Sequence, residues 1–327
     1  FFFFVYENVI HKNTIADAVC YLPFDKKIWI NEFTSHFKTD IFFTVKYDYW
    51  YNLLEKLKAD GAKVFVVSAL FYETQIFFKA YGNWFVEQLS KNVDWFFHQT
   101  THSTALAKSI GLSNSSTAGD TRFDRVKKLR ERDNFVEYID EFKQNKKTIV
   151  FGSSWESEER LAEIVASKNR DLKMIIAPHD LKRVANLKEI FPSAMLYSQL
   201  TNSQVFNSSN SQVLIIDCIG LLSKLYSYGD LAVVGGGFHS KGLHNILEAA
   251  TFGIPVLFGD HYQKNPEADE LIAQHGGKSF EDEFFAAPYI LNLLNDEVSM
   301  KKMSLNARNF IDSQPNASEL ILNKMLS

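Results

Sequence analysis

The chain has 327 residues, of which 46% are hydrophobic and 23% charged, which is enough for one or two buried cores and excludes collagen-like, low-complexity and wholly disordered chains. The formal net charge is −4, so no basic excess points to a nucleic-acid partner. The chain has only two cysteines, Cys20 and Cys218, and their wide separation disfavours a disulfide scaffold and a zinc site.

The chain opens on the apolar run FFFFVY, which ends at Glu7. This run is far shorter than the ~20 residues that a membrane-spanning helix needs. It also lacks the basic start and the small-residue cleavage site of a signal peptide. We therefore expect a buried strand here. Because the first residue is Phe1 and not Met, we also expect the sequence to be a fragment of a longer protein.

Short apolar runs rich in Val, Ile and Phe alternate with amphipathic stretches along the rest of the chain. We predict strands at 40–46, 63–68, 95–99, 148–152, 173–177, 213–217, 231–235 and 255–259. Helical periodicity is found at 51–60, 156–168 and 244–251. Strands that are each followed by a helix are typical of parallel sheets covered on both faces, so the fold class is α/β.

A shift in composition divides the chain. Residues 124–147 are dense in charge and contain no strand-like run, which is typical of a solvated helical connector. We predict a first domain over 1–125, a connector over 126–147, a second domain over 148–307 and a C-terminal helix over 308–327. The polar stretch 201–212 is predicted to be a surface loop.

The strongest local signal is the glycine-rich segment 231–253. An apolar strand runs into Gly235–Gly237, and a helix is predicted to start near Leu243. Glycines let a ligand approach the backbone, and a helix N-terminus attracts phosphate. Asn245 and Glu248 share a helix face, where a carboxylate suits ribose hydroxyls. A tight strand-to-helix turn with capping residues is equally consistent with this segment.

The dinucleotide fingerprint G-x-G-x-x-G is not met, because its third glycine position falls on Ser240. Asp260 is followed by a loop and does not end a next strand as a ribose ligand. A Rossmann dehydrogenase is therefore disfavoured. No Asp-x-Asp pair, G-x-S-x-G motif or Walker loop occurs, so a divalent metal that holds a diphosphate is not indicated and no cofactor is expected.

Four weaker signals lie outside the glycine-rich segment, and two of them directly follow predicted strands. Pro178 and His179 follow a strand, where an imidazole could contact a phosphate or a base, or could be a solvated helix-entry residue. Ser153 and Ser154 could hold an anion or cap a helix.

The other two signals lie in the first half of the chain. Arg122 follows a glycine turn and could stabilise negative charge in a cleft, or form a surface ion pair with Asp124. Lys46 and Asp48 lie in an aromatic run, which could contact an acceptor or begin a helix.

The order of these segments resembles the 3-deoxy-D-manno-octulosonic acid (Kdo) transferases, most closely their Bacteroidetes-type members. The matching motifs are VKYDYWYNLL (45–54), VSALFYETQIFFKAYG (67–82), GDTRFDRV (119–126), FGSSWESEE (151–159), APH (177–179), DCIGLLSKLYSYGD (217–230) and GGGFHSKGLHNILEAATFGIPVLFG (235–259). These enzymes transfer Kdo from CMP-Kdo to lipid A precursor (lipid IVA) in lipopolysaccharide core biosynthesis. The resemblance runs from about Ala16 to the final helix.

The resemblance implies a GT-B glycosyltransferase fold, with two Rossmann-like domains facing across a cleft. The N-terminal one would be the acceptor side and the C-terminal one would bind the CMP-sugar. The donor-binding residues implied are Ser153, Ser154, Pro178, His179, Ile219, Gly220, Leu221, Gly236, Gly237, Lys241, His244, Asn245, Ile246, Leu247 and Glu248. Of these, Glu248 would bind the ribose, and Gly236 and Gly237 would shape the phosphate site. Arg122 would stabilise the transition state, and Lys46 and Asp48 match an acceptor-side motif in which Asp48 replaces the usual Glu.

The resemblance also implies an inverting, metal-independent transfer at the cytoplasmic face of the inner membrane, with peripheral membrane contact. The family's general base is a Glu in a Ser-x-Gly-Glu loop that follows a membrane-associating segment, and this sequence contains no such loop. A further departure is Asn265-Pro266, which interrupts a stretch that is usually more aromatic. Two alternatives stay open: another GT-B enzyme that uses a UDP-sugar, and a non-catalytic nucleotide-binding module.

Overall fold

The computed structural model describes residues 16–200, 211–240 and 242–326. The strand expected at the start of the chain, most of the loop predicted at 201–212 and the predicted donor residue Lys241 lie outside these residues. The chain divides into two compact units. The first contains the described residues up to Thr121 together with those from Pro315 onward, and the second is Arg122–Gln314.

The strands confirm the α/β prediction. They are β1 Ile41–Val45, β2 Lys63–Ala69, β3 Trp95–His98, β4 Ser115–Thr117, β5 Thr148–Ser154, β6 Lys173–Pro178, β7 Met195–Leu196, β8 Val213–Ile215, β9 Leu231–Val234, β10 Val256–Gly259 and β11 Gly277–Phe280. Each of the eight strands predicted between residues 40 and 259 is present, with its ends shifted by at most two residues. Strands β4, β7 and β11 were not predicted because they are short and lack the runs of Val, Ile and Phe that mark the others.

The helices separate the strands as an α/β chain requires. They are α1 Lys27–Ser35, α2 Tyr51–Ala59, α3 Asn83–Asn92, α4 Thr101–Ser109, α5 Thr121–Leu129, α6 Ile139–Lys143, α7 Glu156–Lys168, α8 Val184–Ile190, α9 Leu222–Leu225, α10 Leu247–Ala250, α11 Pro266–Ala273, α12 Glu283–Asn295, α13 Glu297–Asp312 and α14 Ala317–Leu326. Short 3₁₀ turns lie at Ile76–Phe78, Leu181–Arg183, Tyr197–Gln199 and Tyr226–Tyr228. Among the described residues, no helix is both long and apolar enough to cross a membrane.

The described residues of the first unit form a parallel four-stranded sheet in the order β1-β2-β3-β4. Its core is formed by apolar residues of the central strands and of the helices that cover them, such as Val64, Phe96 and Leu53. The C-terminal helix α14 belongs to this unit, where Ile321 packs against Phe65 and Phe97. The helix predicted over 308–327 is thus two helices, because α13 ends at Asp312 in the second unit.

The second unit contains a parallel seven-stranded sheet in the order β11-β10-β9-β5-β6-β8-β7. Strand β5 lies at the centre, and the chain moves to one side of it through β6 and to the other side through β9. The order of the strands therefore reverses at β5. In open α/β sheets, ligands bind outside the carboxyl ends of the strands at such a reversal.

The predicted solvated connector at 126–147 is wrong. Val126 and Leu129 of α5, and Ile139 and Phe142 of α6, are buried in the core of the second unit. These residues face inward while the charged residues between them lie on the other face of the helices. The helices of this segment carry a narrow apolar stripe among many charged residues. Composition averages over both faces of a helix, so it did not reveal that one face is buried.

Candidate functional site

Three segments that are far apart in sequence meet where β5, β6 and β9 end. The backbone N–H of His179, after β6, donates to the carbonyl of Ser154 at 3.0 Å. The N–H of Gly235, after β9, donates to the carbonyl of Gly152 at 2.9 Å. The structure therefore brings Ser153–Ser154, Pro178–His179 and Gly235–Gly237 together at the reversal of the strand order, as the sequence predicts for a ligand site.

The glycine-rich loop after β9 admits no side chains. Gly236 has a φ of +92°, and a Cβ on it would lie 2.3 Å from the carbonyl oxygen of Gly242. A Cβ on Gly237 would lie 2.7 Å from the backbone nitrogen of Gly259. The loop thus packs against the end of β10 and against its own return, which fixes its backbone for a ligand.

An aromatic cluster covers the ends of these strands. The indole of Trp155 stacks on the imidazole of His179, with 4.4 Å between ring centroids and 20° between planes. His179 lies 4.6 Å from His244, and His239 meets Trp155 edge-on at 4.9 Å. The indole Nε1 lies 3.5 Å from Nε2 of His244. Trp155 and His239 were not predicted as site residues, although both lie within motifs that carry the family resemblance.

The imidazole of His244 is held neutral. Burial, followed by the charges of His179 and His239, lowers the pKa of His244 to about 4. At neutral pH this ring therefore offers one N–H donor and one acceptor and carries no positive charge.

Beneath the cluster lies the fully buried carboxylate of Glu158. Its Oε2 accepts from the backbone N–H of Trp155 at 2.8 Å, and its Oε1 accepts from that of Gly236 at 3.0 Å. Burial raises the pKa of Glu158, and the backbone hydrogen bonds partly oppose this rise. Sequence reasoning missed this residue, because a Glu in the first turn of a helix is ordinarily exposed near the helix dipole.

The next residue, Glu159, is also fully buried, and it faces different partners. Arg183 donates to it from Nε at 2.8 Å and from a terminal nitrogen at 2.7 Å. The hydroxyl of Ser154 lies 3.4 Å from Oε1 of Glu159. Ser154 is itself fully buried, so its side chain supports the turn from within. Of the two predicted serines, Ser153 is the more accessible to a ligand.

The predicted helix at 244–251 is shorter than expected and spans only Leu247–Ala250. The side-chain oxygen of Asn245 accepts from the N–H of Leu247 at 3.1 Å, which forms a side-chain turn before the helix. The amide of Asn245 then donates to Oε1 of Glu248 at 3.2 Å, and Arg125 lies 3.7 Å from the same oxygen. The proposed ribose carboxylate is thus held in place, but a one-turn helix contributes a weaker dipole than predicted.

The other predicted donor residues in the second unit differ in accessibility. Ile246 and Leu247 are fully buried in the core, so neither exposes surface to a donor. Ile219, Gly220 and Leu221 precede α9, with Ile219 exposed and Gly220 at a φ of +98°.

Helix α9 and the 3₁₀ turn after it pack close to the end of β5. A Cβ on Gly152 would lie 1.9 Å from the hydroxyl of Tyr226 and 3.0 Å from a methyl carbon of Leu222. The turn that precedes α9 is therefore tied to the same end of the sheet as the glycine-rich loop.

Arg122 forms a two-pronged ion pair with Glu267 at the start of α11. The two guanidinium nitrogens lie 2.7 and 3.0 Å from the two carboxylate oxygens. Glu267 is almost fully buried; burial raises its pKa, but the hydrogen bonds and charge of Arg122 outweigh this, and the pKa of Glu267 is lowered. The sequence predicted the arginine but not the carboxylate that holds it.

Lys46 and Asp48 lie in the first unit, in the turn after β1. Lys46 has a φ of +59°, and its N–H donates to the carbonyl of Val67 at 3.0 Å. The hydroxyl of Thr44 donates to the carbonyl of Asp48 at 2.6 Å, and that of Tyr49 donates to the carbonyl of Lys46 at 3.1 Å. These bonds fix the backbone and leave the Asp48 side chain exposed at the carboxyl end of the first sheet.

No group of three or more His, Cys, Asp or Glu within the described part of the chain is arranged to hold a metal ion.

Two parallel α/β units, the second with a glycine-rich loop at a reversal of strand order, define a protein of the GT-B fold. The structure of a UDP-GlcNAc 2-epimerase from Neisseria meningitidis, bound to UDP-GlcNAc, has this fold. It aligns over 92% of this chain and 79% of its own, with a TM-score of 0.62 and 17% identity. At that identity the likeness shows the fold alone.

The sequence comparisons show which proteins the chain is similar to. The model for 3-deoxy-D-manno-octulosonic-acid transferase (kdotransferase) matches residues 7–125. A 3-deoxy-D-manno-octulosonic acid transferase of Rickettsia typhi is 24% identical over 308 residues, which are 89% of this chain and 64% of the relative. A bifunctional glycosyltransferase/methyltransferase of Fusobacterium nucleatum is 25% identical over 85% of this chain and 44% of its own length. The chain is therefore similar to Kdo transferases, and it spans 44% and 64% of the length of these two relatives.

Proposed function

We propose that this protein transfers Kdo from CMP-Kdo to lipid A precursor (lipid IVA), as a step of lipopolysaccharide core biosynthesis. The observation that carries the proposal is the meeting of family-motif residues from three strand ends at the reversal point of the second sheet. A GT-B protein that binds a nucleotide-sugar needs such a site, and the similarity to Kdo transferases supports CMP-Kdo as its donor.

The proposed reaction is a single displacement that inverts the anomeric centre. A hydroxyl of the acceptor attacks the anomeric carbon of Kdo, the glycosidic bond to the phosphate breaks, and CMP leaves with that electron pair. Negative charge then grows on the phosphate, where cationic groups and N–H donors lower the barrier. Arg122 is proposed for this role because Glu267 holds its guanidinium in one orientation. The acceptor proton requires a general base, which the family resemblance assigns to a Ser-x-Gly-Glu loop.

We further propose that the reaction needs no metal and takes place at the cytoplasmic face of the inner membrane. Side chains of the chain itself would supply the positive charge that a metal would otherwise provide. The proposed membrane contact is supported by exposed apolar residues at the start of the first unit, Phe24, Ile28 and Trp29. Lys26 lies 4.7 Å above the Trp29 ring, so a basic group accompanies this surface.

Calorimetric titration of CMP, UDP and NAD into the purified chain tests the donor. We expect CMP to bind most tightly, and Glu248→Ala to weaken it by about tenfold or more, because the variant removes a charged acceptor for ribose hydroxyls. Glu163→Ala, an exposed glutamate on α7, is the matched control and should bind CMP like the parent chain. Tighter binding of UDP would instead support a transferase that uses a UDP-sugar.

A transfer assay with CMP-Kdo and lipid IVA tests the chemistry, using the protein with its native upstream sequence. We expect Kdo transfer that continues in the presence of EDTA and gives an inverted anomeric configuration by NMR. Transfer that requires an added divalent cation would contradict the metal-independent proposal. CMP binding without transfer would support a non-catalytic nucleotide-binding module.

A further inference from the structure

The carboxylate of Glu158 joins two loops of the candidate donor site. It starts from the first turn of α7 and accepts one hydrogen bond on each oxygen, from Trp155 in the turn after β5 and from Gly236 in the turn after β9. It is fully buried. A carboxylate is the side-chain group that can accept from two separate N–H donors at this distance without presenting a donor of its own.

The hydrogen bond to Gly236 does more than cap a helix. A cap needs only the local bond to Trp155, which lies three residues before Glu158. The bond to Gly236 spans 78 residues and holds the amide of a residue whose positive φ and lack of space admit only glycine. The backbone of the glycine-rich loop is therefore turned toward Glu158 and fixed there.

The bond to Trp155 extends this effect to the imidazoles. The backbone of Trp155 is fixed by Glu158, its ring stacks on His179, and its Nε1 approaches His244. One buried carboxylate thus binds the backbone of both the glycine-rich loop and Trp155 of the aromatic cluster, which meet at the candidate donor site.

We propose that Glu158 is a positioning residue for the phosphate of the donor nucleotide, which rests on the proposed function of this site. Glu158 itself does not contact the donor nucleotide. It holds the glycine-rich loop in the conformation that receives the phosphate. Loss of its second acceptor oxygen would release one of the two N–H groups and loosen the loop, while the fold of the unit is kept by its core.

Glu158→Gln tests this, because it keeps the shape but replaces one acceptor oxygen with an N–H₂ donor that must face a backbone N–H. Two matched variants on the same helix serve as controls. Glu159→Gln removes a carboxylate that is equally buried but is held by Arg183, and Glu163→Gln removes an exposed one.

The first readout needs no ligand. Amide hydrogen exchange of peptides that cover 231–244 should be faster in Glu158→Gln by about tenfold or more, and unchanged in both controls. Unchanged exchange in Glu158→Gln would show that the carboxylate does not hold the loop and would overturn the proposal.

The second readout separates positioning from general destabilisation. In Glu158→Gln we expect CMP to bind about tenfold more weakly while cytidine, which lacks the phosphate, binds as it does to the parent chain. Equal losses for CMP and cytidine, or a loss of CMP binding in Glu159→Gln of the same size, would overturn the proposal. If the parent chain binds no CMP at all, the proposed function fails, which is distinct from a failure of the Glu158 variant alone.

Discussion

The ion pair between Arg122 and Glu267 gives the most quantitative prediction. Two short hydrogen bonds join the groups, Glu267 is 4% exposed and the side chain of Arg122 is 31% exposed. Removing one partner of a fully buried pair costs about 3–5 kcal/mol. Because water reaches part of the guanidinium here, we expect the smaller loss of roughly 2 kcal/mol in the free energy of unfolding of the second unit for Glu267→Gln.

The contribution of this ion pair to the free energy of unfolding should fall at low pH. Arg122 outweighs burial and lowers the pKa of Glu267, so the folded state favours the charged carboxylate. The stabilisation is therefore complete above the pKa of a glutamate in the unfolded chain, about 4.3, and is lost as the pH falls through the lowered pKa of the folded state. Glu267→Gln should lack this part of the acid destabilisation.

A double-mutant cycle with Arg122→Gln and Glu267→Gln measures the coupling, with unfolding followed by hydrogen exchange in peptides from α11 across a urea series. The control cycle uses Lys146→Gln and Asp171→Asn, an exposed pair 3.1 Å apart in the same unit, for which we expect less than about 1 kcal/mol. A coupling at Arg122 and Glu267 no larger than in the control would refute the reasoning.

Two further predictions concern the site. Gly236→Ala should lower the free energy of unfolding by about 3 kcal/mol or more, because its Cβ would lie 2.3 Å from a carbonyl oxygen. The control Gly61→Ala has a similar φ of +89° but open space around the new Cβ, so it should cost only ~1–2 kcal/mol. Chemical denaturation measures both losses. By NMR, the ring of His244 should titrate with a pKa of about 4. The ordinary pKa of a histidine in the unfolded chain is about 6.5, so the folded state should lose stability as the pH falls from 6.5 toward 4. Similar losses for the two alanine variants, or an ordinary pKa for His244, would contradict the site geometry.

The sequence predicted most of the strands and named candidate ligand-binding residues at their ends for the same reason. Buried parallel strands need continuous runs of Val, Ile and Phe, and ligand-binding residues follow such runs directly. The amino-acid pattern alone was therefore enough to name His179 and Gly236 as candidates, with a solvated or turn-forming role left open for each. Strand β4, with the sequence SST, gives no such signal, because it is extended only through its pairing with β3.

The residues that support the site were beyond sequence reasoning. Glu158 and Glu267 are charged residues in first turns of helices, where exposure is the ordinary expectation. Their burial depends on partners at Gly236 and Arg122, which are distant in sequence. The charged segment 126–147 was misjudged for a related reason, since its buried face is set by what α5 and α6 pack against.

The most direct test of the account is to map where CMP protects the chain from hydrogen exchange. With CMP bound, we expect slower exchange in the second unit, in peptides that contain Ser153, His179 and the segment from Gly235 to Glu248. We expect no change in exchange in the sheet of the first unit. Protection confined to the first unit, or to the opposite, amino-terminal edge of the second sheet, would contradict the placement of the donor site.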